Sequence, residues 1–189
     1  MSTLRTKQLD AINSSGAVRI ASGSKIVGTE QGQIYAPGSV IQMQQVQTAA
    51  TVYSFSAADI TPITGLSITI TPKFATSALV LQSMINTSAT YVSSYGFLRN
   101  SRYLVNSTAT NNSNSAGAMA TLYHGTNILT DMWNVYLQYI DIAGSTDPIT
   151  YQVAGCSSWA GTNFTLYVND RNTSDMRSIS SMIIMEIAA

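Results

Sequence analysis

The segment 179–189, ISSMIIMEIAA, constrains this chain more than any other. Ile179, Met182, Ile184 and Ile187 stand among further apolar residues, and Glu186 alone interrupts them. If the chain ends there, its terminus has to be held in a sheet or against another subunit, because a free apolar strand is a site of aggregation. Composition supports the same reading. Only 10% of residues are charged, against about 25% in an average soluble protein. Solubility therefore rests on Ser, Thr, Asn and Gln, which favour turns and strands over helix interiors.

Nine basic residues balance nine acidic ones. That neutrality argues against nucleic-acid binding, which needs clustered Lys and Arg to neutralise phosphates. The only local excess lies in 1–35, where Arg5, Lys7, Arg19 and Lys25 face Asp10 and Glu30. A single cysteine, Cys156, rules out an internal disulfide and a Cys-based zinc site. The opening MSTLRTKQLDAINSSG has no apolar h-region of a signal peptide. No stretch approaches the roughly 20 apolar residues of a membrane helix. The expectation is synthesis in a reducing cytoplasm, without membrane insertion.

Residues 1–37 are sparse in apolar side chains and punctuated by Gly16, Gly23, Gly28 and Gly32. Such a segment buries too little to fold alone. It reads as an extended arm that orders against a partner, with Leu4, Leu9, Ile12, Val18 and Ile20 as its candidate attachment residues. Pro37-Gly38 marks the boundary. From there short β-type runs alternate with turn clusters. SVIQMQQVQT (39–48) alternates Val40, Gln42, Gln44 and Val46 against Ile41, Met43 and Gln45. GLSITITP (65–72) alternates Leu66, Ile68 and Ile70 with hydroxyls, the pattern of a half-buried strand. SALVLQSMINT (77–87) is nearly continuous apolar sequence, as for a central strand. YVSSYGFLRNSRYLVNS (91–107) reads as a hairpin turning at Asn100-Ser101. TATNNSNSAG (108–117) reads as a polar loop, and RNTSD (171–175) as a turn. Eight to ten strands at short spacing, without a long helix, predict an all-β fold. We expect an antiparallel jelly-roll or β-sandwich domain over 38–189, preceded by the arm.

Catalytic chemistry finds little footing. His124 is the one histidine, with Asp131 the nearest acid and no nucleophile-elbow sequence. It reads as a strand-end histidine. Cys156, inside ITYQVAGCSSW, reads as a small buried residue. NDRNTSD (169–175) lacks the glycine and glutamate of a calcium loop and reads as a hairpin turn. Asp141 and Asp147 offer carboxylates for a cation between subunits, but nothing in the sequence requires one. We therefore expect no catalytic residue, no metal and no cofactor. Trp133 and Trp159 are the candidate glycan contacts, since a sugar's apolar face stacks on a ring; core and subunit packing is the plainer reading.

Taken in order, several segments resemble the small tail-fibre and minor virion structural proteins of tailed bacteriophages, especially marine and cyanobacterial phages. These are MSTLRTKQLDAINSSGAVRI at the front, PGSVIQ (37–42), ITGLSITITPKFATSALVLQSMIN (63–86) and VYLQYIDIAGSTDPITYQV (135–153). NFTLYVNDRNTSD and then SISSMIIMEIA complete the set. The resemblance implies a homotrimeric jelly roll similar to the C1q and tumour-necrosis-factor head, attached to the particle by its N-terminal segment. No heptads or shaft repeats are present, so a short fibre, fibre tip or knob is expected, located in the virion and contacting host surface polysaccharide. The alternatives are a capsid decoration or head-fibre protein without a receptor role and, more remotely, a polysaccharide-cleaving tailspike.

Overall fold

The computed structural model describes residues 35–49, 53–54, 60–89, 91–105, 118–125, 131–159, 162–163, 165–171 and 173–189. The chain divides between Tyr35 and Ala36, and every described strand belongs to the unit 36–189. The polar loop expected at 108–117 lies outside the described residues.

All regular structure among these residues is strand. In chain order the strands are β1 (Val40–Thr48), β2 (Tyr53–Ser54), β3 (Thr61–Ile70), β4 (Ala78–Ala89), β5 (Tyr91–Arg99), β6 (Arg102–Tyr103) and β7 (Ala120–Gly125). They continue with β8 (Trp133–Ile142), β9 (Ile149–Trp159), β10 (Thr162–Asn163), β11 (Thr165–Val168), β12 (Asp170–Arg171), β13 (Thr173–Arg177) and β14 (Ser180–Ile187). Eight of these are long. They form two antiparallel sheets, one ordered β8-β4-β14-β1 and the other β7-β5-β9-β3. The chain crosses from sheet to sheet at nearly every connection, and only β5 and β7 are successive long strands within one sheet. That wrapping is the double Greek key of a jelly roll. β11 extends the first sheet beyond β14 by pairing with β4 and β2. The hairpin turn expected at 169–175 is present, but it is tighter than the 171–175 read from the sequence, because β13 takes in residues 173–175. β12 pairs with β13, and Arg177 and Asp170 close it as an ion pair at 3.1 Å.

Period-2 alternation decides what enters the core. In β14, Met182 and Ile184 are fully buried while Ser181, Ile183 and Met185 are only partly covered. β4 and β8 contribute Leu79, Leu81, Ile85, Val135 and Leu137. The facing sheet answers with Leu66, Ile70, Tyr95, Phe97, Tyr151 and Val153. A smaller cluster, Ile60, Leu98, Ala154 and Cys156, sits on the other face of that second sheet. The buried Cys156 fits its sequence reading. The expected alternation of β1 does not hold throughout. A bulge between Val40 and Gln42 puts Val40 on the same face as Met43 and Gln45.

β3 carries a second bulge. Ile63 and Leu66 are both buried although they are three residues apart, and the register with β9 shifts between Pro62 and Ser67. Gly65 makes this possible with φ +84°, where an L side chain is strained. An added Cβ would also stand 2.7 Å from Thr48 Oγ1. Gly65→Ala should therefore cost about 2–3 kcal/mol in urea unfolding. A loss within experimental error of zero would show that the bulge relaxes without penalty.

Two polar arrangements fasten the sandwich. Where β14 and β11 meet alongside β4, Asn169 adopts φ 62° and is fully buried. Its Nδ2 donates to the Thr48 carbonyl at 2.8 Å, and its Oδ1 accepts from Ser180 Oγ at 2.6 Å. At one end, Arg99 of β5 reaches across to β8. It donates to Asp141 Oδ2 at 2.8 Å and to the carbonyls of Ile142 and Ala143. Tyr151 of β9 donates to the same Asp141 oxygen at 2.6 Å. Burial, and then that carboxylate, push the Tyr151 hydroxyl far above its usual range. Asp141 is thus committed to fastening the two sheets, which removes it from the cation role entertained for it with Asp147.

Candidate functional site

The outward face of the first sheet is the most unusual surface of the fold. Register places its side chains in four rows across β1, β14, β4 and β8. The first row is Val40, Ile187, Ala78 and Ile142. Next comes Met43, Met185, Val80 and Ile140. The third is Gln45, Ile183, Gln82 and Gln138, and the fourth Gln47, Ser181, Met84 and Tyr136. No row contains a charged residue, and the first two are wholly apolar. Met43, Tyr136 and Ile140 are 60%, 59% and 59% exposed. A shallow hollow of 220 Å3 lies in the fourth row and its neighbours, between Met84, Tyr136 and Ile183.

With strands ~4.8 Å apart and same-face residues ~6.8 Å apart, four rows on four strands cover about 500 Å2. The two wholly apolar rows make up about half of that area, an ordinary apolar patch for a monomer, while the uncharged face as a whole is a large share of the roughly 800 Å2 per partner of a stable interface. The second sheet's outer surface shows the contrast. Its uncovered part presents Ser67, Thr69, Thr150 and Gln152, with Thr69 and Thr150 hydroxyls hydrogen-bonded at 2.8 Å.

The face ends at an unguarded edge. β8 pairs with β4 along its whole length without a bulge, and among the described residues nothing pairs with its other side. WNVYLQYIDI holds no proline and no lysine, the usual protections of an open edge. Its one charge, Asp141, points inward to Arg99. Face and edge together leave apolar side chains and unpaired backbone groups side by side. Sequence reasoning saw alternation in 39–48 and a nearly continuous apolar run in 77–87, but the rows exist only once long-range register is known.

Glu186, the lone acid of the terminal segment, faces inward from β14 and is fully buried. It accepts from Gln42 Nε2 of β1 at 2.5 Å and from the backbone N–H groups of Lys73 and Phe74, at 2.7 and 3.3 Å. Burial pushes its carboxyl up, but these donors outweigh burial and hold it below the usual range. The side chain ties β1, β14 and the β3–β4 turn together under the apolar rows.

The histidine lies elsewhere. His124 of β7 is buried, its Nε2 hydrogen-bonded to Ser93 Oγ at 2.7 Å. Burial lowers its pKa, opposed by the Asp131 carboxylate. Nδ1 has no partner among the described residues. Ser93 is fully buried, so its hydroxyl offers no approach to a substrate. Trp133 is 46% exposed at the start of β8 and meets the His124 ring edge-on, with centroids 6.2 Å apart. Trp159 ends β9, in the other sheet, and its side chain lies outside the described residues. The two candidate glycan contacts thus belong to different sheets. Leu4, Leu9, Ile12, Val18 and Ile20 also lie outside the described residues. Among the described residues, no three His, Cys, Asp or Glu side chains gather to hold a metal. The chain matches no protein-family model and no curated protein sequence.

Proposed function

We propose that this chain is a structural protein of a tailed-phage virion, a homotrimeric short tail fibre. In this reading residues 1–37 dock onto other virion proteins. The jelly roll of 38–189 forms an outward knob that contacts the host surface. The observation that carries the proposal is the uncharged outer face of the β8-β4-β14-β1 sheet together with its unguarded β8 edge. A second copy of the chain is the occupant that suits it. The face has no charge to complement, so it suits a partner as neutral as itself. A closed ring of three lets each subunit use two different surfaces, here a face and an edge, and leaves neither open to aggregation. The sequence resemblance to phage fibre proteins supplies the setting. Threefold copies also suit host contact, because weak sugar contacts repeated on one particle gain strength through avidity.

Sedimentation equilibrium of the purified chain tests the core of the proposal: one species of three subunits is expected, and a stable monomer would sink it. Deleting 1–36 should leave that trimer intact while abolishing its incorporation into particles. Gold labelling of the intact particle should mark the tail; labelling of the capsid would favour a head fibre instead.

A further inference from the structure

A second cleft lies away from the apolar face, at the tip of the β5–β6 hairpin. It measures 520 Å3 and is lined by Arg99, Asn100, Arg102, Tyr103 and Leu104. Volumes of this order are those of small-molecule sites. Its electrostatics are out of keeping with the rest of the domain. Residues 38–189 hold only Lys73, Arg99, Arg102, Arg171 and Arg177 as cations. Two of these stand directly opposite each other, Arg99 paired with Arg102 across the turn. Like charges in that position destabilise a hairpin. Arg99 is compensated by Asp141 at 2.8 Å. Arg102 is exposed and has no carboxylate within ion-pair distance among the described residues. The packing of the fold does not need a guanidinium there.

The turn that carries the pair is held rigidly. Asn100 and Ser101 both have positive φ, 47° and 63°, as a two-residue hairpin turn of the primed type requires. Serine in that conformation is uncommon, and such strain tends to persist where a site is held in place. Asn100 is locked to β9 in both directions. Its N–H donates to the Thr150 carbonyl at 2.8 Å, and its Oδ1 accepts from the Thr150 N–H at 2.9 Å. The cleft is therefore a fixed cradle with one uncompensated positive charge, a second guanidinium behind it, and an apolar wall from Tyr103 and Leu104.

We propose that this cleft binds a carboxylate-bearing sugar unit, a uronate, with Arg102 as the residue that takes the carboxylate. The planar guanidinium fork matches a carboxylate with two parallel N–H donors. A single uncompensated charge suits a monoanion better than a phosphate dianion. The Tyr103 and Leu104 side chains give the sugar ring an apolar surface that an inorganic anion would not use. The inference deepens the host-contact reading and rests on it only for the source of the sugar. Binding in solution is a property of the chain wherever it sits on a particle, so the two readings fail separately.

Titration of the full-length protein with glucuronate, glucose and inorganic phosphate at matched ionic strength tests it. Calorimetry and the Arg102 Nε–H NMR resonance would be followed together. Glucuronate is expected to bind and to shift that resonance, with glucose and phosphate at least about tenfold weaker. Arg102→Gln should weaken glucuronate by about tenfold or more, and Arg102→Lys, which keeps charge but loses the fork, by less. A trisaccharide of linked uronates should bind at least as tightly as the monomer if the source is a polysaccharide. Three results would each overturn the inference: no glucuronate binding by the wild type, unchanged binding by Arg102→Gln, or phosphate binding as tight as glucuronate.

Discussion

Ile140→Lys is expected to convert the proposed trimer into a folded monomer. Ile140 sits in the wholly apolar second row, beside Val80, and is more than half exposed in the single chain. The monomer loses little when a lysine replaces it, because the long side chain reaches solvent. An assembly that covers the row must bury an ammonium against apolar atoms, at a cost of several kcal/mol. Association should weaken by about a hundredfold or more. Lysine on β8 also guards the open edge, so face and edge contacts are lost together. Sedimentation at a concentration where the wild type is fully assembled is the measurement, with circular dichroism to confirm the fold. Thr69→Lys, on the hydroxyl-bearing face of the other sheet, serves as the control and should leave assembly unchanged. If Ile140→Lys still assembles, the apolar rows are not the contact.

The apolar face is a surface the sequence showed only in pieces. The apolar runs of SSMIIMEI and SALVLQSMINT were enough to expect a terminal segment held in a sheet and a central strand. The structure places them side by side as β14 and β4. The hairpin at Asn100-Ser101 was equally legible, because a short polar dipeptide between β-type runs is a local signal. Assignment of each strand to one of two sheets was not legible, since it depends on pairings such as Val40 with Ile187 across the whole domain. Two bulges also escaped. The one in β1 overrode a regular alternation, and the one at Gly65 looked like the start of a strand instead of its kink. The hairpin at 169–175 was legible as well, but not how tight its turn is, because the pairing of Arg171 with Thr173 and the ion pair of Asp170 with Arg177 bring polar residues of the expected turn into strand. The cross-strand pairing of Arg99 and Arg102 could have been read from the predicted hairpin, since a two-residue turn sets its own register.

Glu186→Gln should cost about 2–4 kcal/mol at neutral pH, enough to lower the melting temperature by roughly 10 °C. The carboxylate of Glu186 is fully buried and meets three donors, Gln42 Nε2 and the N–H groups of Lys73 and Phe74. Glutamine keeps the shape but turns its amide hydrogens toward groups that also donate, so at least one buried N–H is left without an acceptor. The same donors give the wild type a characteristic pH dependence. They hold the folded-state pKa of Glu186 below its ordinary value of 4.5, against the opposing effect of burial. The folded state therefore favours the ionised carboxylate more than the unfolded state does. This contribution is fully present above the unfolded pKa and is lost as pH falls through the depressed folded one. Denaturation of wild type and variant between pH 7 and pH 3 should show a constant gap down to about pH 4.5 and a narrowing gap below it. A gap that stays the same at pH 3 would mean that the charge of Glu186 is not what fastens β1, β14 and the β3–β4 turn.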